Sequence, residues 1–447
     1  MKDLKKRLSR QAVETAPEGL LAYSFDASKR SALPKIVINA ASAEDVIAAI
    51  QVARQYKVPV VPRGAGTGLT GGSVPGRASE PLVLNLERMD RILHIDPAQK
   101  VAVVEPGVIN STLQARLEKY GLFFPCDPSS AAFATLGGNL AENACGLRGR
   151  FYGSCYSHVA GLVYVSGEGA LVSTGFFNNN RNRILQGLFI GSEGTLGVAV
   201  KLALRLTVRP DTLNTCLLFF RYRSDAFKLT LYLFMHGLLP EAMEYIDGKT
   251  FGVLAPEGHP LHRSDIEAVM LLETSEPTDM LRKVFATFRQ TETLWAHDST
   301  ERAAFWNFRT QISPALYNVS PVKINEDVGV PMDRMEEFAT WLDEELAAES
   351  RDVAIYTYGH LGAGCFHVNF MFDGNSVSAL QDAEFMARKL FEKVMDLSGT
   401  LSCEHGIGLS KQPFLRMELS DAAYDFNRNI KKALDPDGLY NPGKIFE

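Results

Sequence analysis

Three histidines and a glutamate lie close to glycine turns in the C-terminal part of the chain. His360 and His367 are seven residues apart, but the glycine-rich segment between them disfavours a helix. We therefore predict two strands joined by a glycine turn, which places His367 and Asn369 on the same face. Glu404 and His405 precede a further glycine turn. Two imidazoles and a carboxylate are a common ligand set for zinc or a similar divalent ion, whereas composition alone equally allows buried, hydrogen-bonded histidines.

A second group of polar residues has the chemistry to bind an anionic substrate. Arg309 lies in the segment FWNFRTQISPALY, and a guanidinium can make two parallel hydrogen bonds to a carboxylate. Ser313 follows about one helical turn later, so we expect it on the same helix face. Lys323, in PVKINEDVGVP, adds a second cation. For any one of these residues, a solvated surface position is the alternative.

Three stretches of small residues allow a ligand to approach the backbone closely. In the first, Val58 to Pro75, a GxGxxG pattern runs from Gly66 to Gly71 after a predicted strand. A Rossmann site needs a helix directly after that loop, but two prolines and a β-type run follow here. The loop therefore predicts either a nest of backbone N–H groups for a pyrophosphate or a surface turn without a ligand. The other stretches span 125–146 and 191–197.

Hydrophobic periodicity predicts the elements that position these residues. Helices are expected at 43–56, 109–120, 225–237, 278–290, 335–348 and 379–398 and after residue 420. Strands are expected at 58–61, 82–86, 92–95, 101–104, 159–165, 198–209, 216–222, 353–358 and 366–372. This mixture predicts an α+β protein, with a change of texture at Pro210 and Asp211.

Composition excludes several classes of protein. The 447 residues hold 46 Lys+Arg and 52 Asp+Glu, so the net charge of −6 argues against a nucleic-acid binder. The six cysteines form no CxxC pair, which argues against a zinc ribbon, a cysteine-ligated iron–sulfur cluster and a disulfide framework. We expect a cytoplasmic protein because no signal-peptide core or spanning apolar run is present. The basic stretch Lys2 to Arg10 is compatible with peripheral membrane contact, although it fits a solvated helix better.

Seven motifs occur in a fixed order along almost the whole chain. They are PRGAGTGLTGG (62–72), DPSSAAFATLGGNLAENACG (127–146), YGSCYSHVAGL (152–162), GSEGTLG (191–197), GHLGAGCFHVN (359–369), CEHGIG (403–408) and NPGK (441–444). This set resembles the FAD-linked oxidases and dehydrogenases of the vanillyl-alcohol oxidase fold, also called the PCMH type. Within that family it is most similar to the D-2-hydroxyacid dehydrogenase branch, which includes D-lactate and D-2-hydroxyglutarate dehydrogenases and the FAD subunit of glycolate oxidase.

The resemblance implies a two-subdomain FAD-binding domain of the PCMH type at 1–210 and a substrate or cap domain of antiparallel sheet and helices at 211–415. The segment 416–447 then returns to the FAD domain. Some relatives attach FAD covalently through a histidine in the first loop, and none occurs there, so we expect non-covalent FAD. The implied cofactor-binding residues are Pro62, Arg63, Gly64, Ala65, Gly66, Thr67, Gly68, Leu69, Thr70, Pro128, Thr135, Gly137, Gly138, Asn139, Asn143, Gly146, Gly153, Glu193, Gly197, Val198 and Asn441.

The resemblance also implies roles in catalysis. His360, His367 and Glu404 match metal ligands, with zinc as the expected ion, and His405 matches the catalytic base. Arg309, Lys323, Ser313 and Asn369 match the substrate segments. The chain departs from the family's pattern at two places: Ala363-Gly364-Cys365 replaces the usual Asp-Gly-Asn, which bears on the metal's surroundings, and Cys145 replaces a glycine. Neither departure removes an expected ligand.

The implied reaction oxidises a D-2-hydroxy acid, such as D-lactate, D-2-hydroxyglutarate or glycolate, to the 2-oxo acid. The Cα hydride passes to flavin N5 while His405 takes the hydroxyl proton. Because the chain lacks a cysteine cluster, we expect an external electron acceptor: a quinone, a cytochrome, a flavoprotein or an iron–sulfur subunit. The alternative function is the FAD subunit of a glycolate-oxidase-like complex. A homodimer is compatible with the sequence.

Overall fold

In a computed structural model, the described residues are Leu8, 12–76, 80–178 and 184–446. Apart from Leu8, the basic stretch Lys2 to Arg10 lies outside them. Backbone contacts divide the chain into two compact units. Unit 1 comprises Met1–Gly146, Tyr152–Arg209 and Glu404–Glu447, and unit 2 comprises Leu147–Phe151 and Pro210–Cys403. The sequence predicts domain limits after residues 210 and 415, whereas the compact units meet at residues 209/210 and 403/404.

The described residues form strands and helices that are numbered here in chain order. The strands are β1 (Val13–Glu14), β2 (Ile36–Asn39), β3 (Val60–Arg63), β4 (Leu82–Asn85), β5 (Ile92–Asp96), β6 (Val101–Val104), β7 (Leu122–Phe123), β8 (Val159–Val165), β9 (Leu171–Ser173), β10 (Val198–Arg205), β11 (Thr207–Val208), β12 (Asn214–Phe220), β13 (Ala242–Asp247), β14 (Ala268–Thr274), β15 (Gln290–Trp295), β16 (Val322–Gly329), β17 (Ala354–His360) and β18 (Cys365–Phe372). The helices are α1 (Pro17–Leu21), α2 (Ala43–Tyr56), α3 (Asn110–Leu117), α4 (Leu136–Ala141), α5 (Gly149–Tyr152), α6 (Cys155–His158), α7 (Ile184–Gly187), α8 (Arg223–Met235), α9 (Gly248–Leu254), α10 (Thr278–Phe285), α11 (Ser299–Thr310), α12 (Ile312–Leu316), α13 (Met335–Glu344), α14 (Val377–Asp396), α15 (Leu415–Glu418) and α16 (Asp421–Leu434).

Unit 1 is built on two larger sheets. The first has the order β1-β2-β4-β3, in which β2, β4 and β3 run parallel and β1 is antiparallel. The second is antiparallel, with the order β5-β6-β10-β8-β9. Each sheet has a core of its own, and Tyr440 from the C-terminal segment is fully buried in the first core. These are the two subdomains that the sequence predicts.

Helix α2 shows how the sequence positions the glycine loop. Ser42 caps its N-terminus by accepting a hydrogen bond from the Asp45 amide, and Lys57 ends it in the left-handed conformation. The apolar face of α2, including Val46 and Ile50, is buried against the first sheet. The chain then enters β3, which delivers Arg63 to the start of the loop.

Unit 2 is organised by one seven-stranded antiparallel sheet with the order β15-β12-β14-β13-β17-β18-β16. Its central strands are buried on both faces, as β14 and β18 illustrate with no exposed residue along their length. Helices α11 and α12 contribute Phe308, Ile312 and Leu316 to the core beside the sheet. This is the antiparallel-sheet-and-helices architecture that the resemblance implies.

Most predicted elements are confirmed, with two corrections. The helix expected at 278–290 ends at Phe285, because the following residues turn into β15. The strand expected at 198–209 is interrupted at Leu206 and continues as β11, which pairs with β7. Within the described part of the chain, the helices are either too short or too polar to cross a lipid bilayer.

Candidate functional site

The glycine-rich segments of unit 1 converge on one elongated cleft. Most of the expected cofactor-binding residues line it: Pro62, Arg63, Gly64, Ala65, Gly66, Thr67, Gly68, Leu69, Pro128, Thr135, Gly137, Gly138, Asn139, Glu193, Gly197 and Val198. Glu404 and His405 line the same cleft. Its wall also contains residues that the sequence analysis did not single out, among them Glu142, Tyr164 and Phe189.

Five of the expected cofactor residues lie outside this lining. Thr70 accepts hydrogen bonds from the amides of Leu409 and Ser410 through its carbonyl oxygen, and the Asn143 side chain accepts one from the Tyr156 amide. Gly146 and Gly153 have positive φ angles of 92° and 91°, and Gly146 pairs with Asp127 in an isolated bridge. Asn441 donates to the carbonyls of Gly72 and Glu193 at 3.1 and 2.7 Å.

The loop after β3 is shaped by close packing that only glycine permits. Gly66 has a φ of 68°, and a Cβ there would lie 2.2 Å from Nη2 of Arg63. A Cβ at Gly64 would lie 2.2 Å from Oγ1 of Thr135. Described residues 64–76 contain no helix, and residues 64–68 are half-buried, so the backbone of this loop is free of helical hydrogen bonds, as an anion-binding nest requires.

The CEHGIG segment is fixed to the cleft by Glu193. Its carboxylate oxygens accept hydrogen bonds from the amides of Ile407 and Gly408, both at 2.7 Å. Glu193 itself adopts a left-handed φ of 50°. Strained backbone conformations of this kind occur often at functional sites. The anchored amides of Ile407 and Gly408 come shortly after Glu404 and His405 in the chain, so they hold the backbone next to these two residues. Glu404 accepts a hydrogen bond from the Gly146 amide at 3.2 Å.

Lys444 lies beneath the same wall. Its ammonium donates to the Gly72 carbonyl at 2.6 Å and to Oδ1 of Asn441 at 2.8 Å. Burial lowers the pKa of Lys444 to about 7, against the opposing effect of Asp26 and the nearby glutamates. The lysine thus holds the end of the glycine loop chiefly as a hydrogen-bond donor.

In unit 2, the predicted strand–turn–strand around the histidines is confirmed. Strands β17 and β18 pair in antiparallel register, with a short turn at Leu361–Ala363. Nε2 of His360 lies 3.3 Å from Nε2 of His367. Both side chains are buried, at 5% exposure each. The turn has brought the two imidazoles together edge to face.

A glutamate that the sequence analysis missed connects the histidines to the arginine. Glu244, on β13, is fully buried. One carboxylate oxygen, Oε1, lies 2.7 Å from Nδ1 of His360. The other, Oε2, accepts a hydrogen bond from Nε of Arg309 at 2.8 Å and lies 2.7 Å from Nη2 in an ion pair. Glu244 therefore orients His360 and Arg309 simultaneously, and Nη1 of Arg309 takes no part in this ion pair.

The orientation of His360 has a chemical consequence. If Nδ1 donates its proton to Glu244, the Nε2 of a neutral imidazole carries a lone pair. That lone pair faces the side on which His367 lies, so the Nε2 atoms of the two imidazoles lie next to each other. Carboxylate–histidine pairs of this kind orient metal ligands in many proteins.

The remaining expected substrate residues are also in unit 2. Lys323 donates to the Ser313 hydroxyl at 2.6 Å and lies over the ring of Tyr317 at 4.8 Å. Ser313 does not continue the helix of Arg309, because α11 ends at Thr310 and Ser313 belongs to α12. Asn369 is fully buried and bonds to Asn325, Tyr356 and His367, which favours a role in holding the strands together.

Of the three expected metal ligands, His360 and His367 belong to unit 2 and Glu404 to unit 1. Their donor atoms, two imidazole nitrogens and a carboxylate oxygen, suit zinc or a similar divalent ion. The paired imidazoles within unit 2 fit that chemistry.

A sequence signal exists for each missed glutamate. Glu142 is the one acidic residue of the GGNLAENACG motif, in which the other residues are small, apolar or amides. Glu244 interrupts the apolar run of β13, all but the last residue of which is buried. An acid in the middle of a buried strand requires a partner, and that requirement is the usable signal.

A cleft lined by glycine-rich backbone, with an imidazole and carboxylates on its wall, is typical of a cofactor-dependent enzyme. Residues 34–175 match the model of the FAD binding domain, and residues 209–445 match that of the FAD linked oxidases, C-terminal domain. The chain belongs to the family of FAD-linked oxidases and is an FAD-dependent oxidoreductase.

Similar proteins cover the chain from end to end. The glycolate oxidase subunit GlcD of Bacillus subtilis is 31% identical, covering 100% of this chain and 97% of its own length. The D-2-hydroxyglutarate dehydrogenase of Stutzerimonas stutzeri is 30% identical, over 99% and 98% respectively. The D-lactate dehydrogenase of Anaerostipes hadrus is 30% identical, over 93% and 90%.

Solved structures share the fold. p-Cresol methylhydroxylase superposes with a TM-score of 0.82 at 16% identity, covering 99% of this chain and 95% of that one. 4-Ethylphenol oxidase from Gulosibacter chungangensis gives 0.79 at 17% identity, covering 100% and 96%. The expected PCMH-type fold is confirmed.

Proposed function

We propose that this protein oxidises a D-2-hydroxy acid to the corresponding 2-oxo acid, with non-covalently bound FAD as the hydride acceptor. The candidate substrates are D-lactate, D-2-hydroxyglutarate and glycolate, which correspond to the names of its relatives. The observation that carries the proposal is the bracing of Arg309 and His360 by Glu244. A buried arginine held in this way is suited to a carboxylate ligand, and a D-2-hydroxy acid supplies one.

Arg309 binds the substrate carboxylate in this proposal. Because Nε and Nη2 are held by Glu244, the guanidinium plane is fixed before substrate arrives, and Nη1 faces no competition from that ion pair. The ring of Tyr358, 4.7 Å from the guanidinium carbon, restricts the plane further. A carboxylate held at a fixed angle determines which face of Cα is presented for oxidation.

His405 is the proposed general base. Histidine has an ordinary pKa of about 6.5, so a neutral imidazole is available near neutral pH to take the hydroxyl proton. Its place on the cleft wall of unit 1 supports this role, and the Glu193 anchor holds its backbone. Lys323 is proposed as a second cation toward the substrate, positioned by Ser313, with Asn369 supporting β18.

His360, His367 and Glu404 are the proposed ligands of a divalent ion, expected to be zinc. Such an ion would polarise the substrate hydroxyl and lower its pKa. Glu244 would keep His360 in the tautomer that offers Nε2. The cofactor-binding residues of the cleft, the domain limits 1–210, 211–415 and 416–447, and the cytoplasmic location remain part of the proposal.

The proposal is tested with a panel of D- and L-2-hydroxy acids and an artificial dye as electron acceptor. We expect turnover with at least one D-acid or glycolate and none with L-lactate. His360→Ala and Glu404→Ala should abolish turnover and lower bound metal while the FAD absorbance is retained; exposed Glu118→Gln is the matched control. Full activity of both variants would exclude the metal, whereas inactivity of the wild type on every acid would exclude the function.

A second candidate is the FAD subunit of a glycolate-oxidase-like complex that passes electrons to an iron–sulfur partner. Two observations favour it: the end-to-end identity with subunits named GlcD, and the absence of a cysteine cluster from the sequence. Dye reduction that appears only when a co-purifying partner is added back would support this candidate. Equal rates without the partner would leave a quinone, cytochrome or flavoprotein as the acceptor. Peripheral membrane contact and a homodimer remain predictions.

A further inference from the structure

Glu142 occupies an unusual position on the wall of the flavin cleft. It follows helix α4, whose N-terminus is capped by the Thr135 hydroxyl, and its backbone amide bonds back to Gly138. The side chain lies between two glycine turns. A Cβ at Gly72 would be 3.0 Å from its Oε1, and a Cβ at Gly406 would be 2.8 Å from its Oε2. Because Gly72 and Gly406 have no side chains, the Glu142 carboxyl group can occupy the space between the two turns.

The carboxyl group has no counter-charge or donor that the described residues supply at hydrogen-bond distance. Its Oε2 is enclosed, with no hydrogen-bond partner among them. The nearest ammonium, that of Lys444, directs its hydrogen bonds to the Gly72 carbonyl and to Asn441. A buried oxygen without a donor disfavours the ionised carboxylate. The other oxygen, Oε1, lies toward the glycine loop of the cleft, where a Cβ at Gly68 would be 3.8 Å from it.

A second carboxylate makes ionisation of Glu142 still less favourable. Glu193 approaches the same point, since the Gly406 Cβ position is 2.8 Å from its Oε1 as well. Glu193 already accepts two amide hydrogen bonds, which stabilise its negative charge. Burial, then Glu193, then Asp26 raise the pKa of Glu142 well above the ordinary value, and only Lys444 opposes them. Burial raises the pKa of Glu193 as well, but its hydrogen bonds from the amides of Ile407 and Gly408 oppose that shift. Because Oε2 of Glu142 accepts no such bond, Glu142 is the acid that keeps the proton.

We propose that Glu142 is a protonated carboxylic acid that donates a hydrogen bond to FAD in the cleft. A neutral acid has one O–H donor, and the flavin, ribityl and pyrophosphate groups of FAD supply acceptors throughout their length. The acid therefore belongs to the binding site of the cofactor, beside the backbone N–H groups of the glycine loop. The inference concerns FAD binding and holds for any substrate.

The test uses the full chain, depleted of FAD and titrated with it at pH 6.5. Glu142→Gln preserves shape and an N–H donor, so its dissociation constant for FAD should lie within twofold of wild type. Glu142→Ala should bind FAD about tenfold more weakly, the equivalent of one lost hydrogen bond. Exposed Glu118→Gln on the same unit is the control for charge removal.

An infrared difference spectrum between FAD-bound and FAD-free protein gives a second, independent measurement. We expect a C=O stretching band of a protonated carboxyl that shifts when FAD binds and is missing in Glu142→Gln. The proposal is overturned if Glu142→Ala binds FAD as tightly as wild type, if Glu142→Gln binds as weakly as Glu142→Ala, or if no protonated-carboxyl band responds to FAD. Since none of these measurements involves turnover, their failure is distinct from failure of the proposed reaction.

Discussion

Two glutamates, one in each unit, have carboxyl groups with opposite surroundings. Glu244 in unit 2 has an arginine on one oxygen and a histidine on the other. Glu142 in unit 1 has a second carboxylate nearby, and its enclosed oxygen lacks a donor among the described residues. The same side chain thus serves as a charged brace in one unit and as a neutral acid in the other. Neighbouring charges and donors determine the role of a buried carboxyl group.

The largest expected effect is that of Glu244→Gln. This change leaves the Arg309 charge buried without a counter-ion, so unit 2 should lose about 3 kcal/mol of unfolding free energy. Because Arg309 and His360 lose their common brace, we also expect kcat/KM to fall by about 10³-fold. Denaturant unfolding monitored in unit 2 and steady-state kinetics measure the two effects. Wild-type values for both would contradict the role of Glu244 as a brace.

Arg309→Lys should have the next largest effect. A lysine is a point charge that cannot hold Glu244 with two donors and present a third to the substrate. We expect about a 100-fold loss in kcat/KM, equivalent to about 2.7 kcal/mol, mostly as a higher KM. Titration of substrate at constant FAD measures it. An unchanged KM would show that the substrate carboxylate binds elsewhere.

Gly406→Ala tests how closely the carboxyl groups of Glu142 and Glu193 approach each other. Its Cβ would enter the space between the carboxyl groups of Glu142 and Glu193, and the φ of 85° is unfavourable for alanine. We expect about tenfold weaker FAD binding, with the exposed glycine Gly438→Ala, at a φ of 60°, as the control for backbone strain alone. Equal FAD affinity in wild type and Gly406→Ala would contradict the crowded arrangement.

Glu142→Gln has the smallest expected effect, and its sign is opposite to that of Glu244→Gln. A raised pKa in the folded state means that the unfolded chain ionises first, so wild-type stability falls as pH rises above about 4.5. Glutamine does not ionise, so the variant does not lose unfolding free energy as the pH rises. It should therefore be more stable than wild type at pH 7, with a gain that grows by at most about 1.4 kcal/mol per pH unit. Unfolding at pH 5, 6 and 7 without FAD measures the trend; a destabilised variant would contradict it.

The two regions also differ in how far the sequence predicts them. The flavin cleft could be predicted from motifs, because close backbone approach requires glycine at fixed places such as Gly64 and Gly66. The paired histidines could be predicted too, since period two and a glycine turn determine their strand register. The burial of Glu244 in an apolar strand signals that it needs a partner, but its partners could not be predicted, because Arg309 and His360 are 65 and 116 residues away. The pairing of β13 with β17 places His360 opposite Glu244, and the packing of α11 on the sheet brings Arg309 to it.

The local helix prediction failed for a related reason. Arg309 and Ser313 have helical spacing, but the chain breaks between α11 and α12, and Ser313 bonds instead to Lys323 on β16. Spacing predicts a shared face only where the helix continues. Five of the residues expected to touch FAD are not among those that line the cleft, and their contact with FAD stays a prediction.

The most direct test of the proposed function is anaerobic mixing of the FAD-loaded protein with D- and L-2-hydroxy acids, with metal content measured on the same sample. We predict that the flavin absorbance bleaches with at least one of D-lactate, D-2-hydroxyglutarate and glycolate, that L-lactate leaves it unchanged, and that about one divalent ion is bound per chain. A metal-loaded yellow protein that none of these acids bleaches would contradict the account.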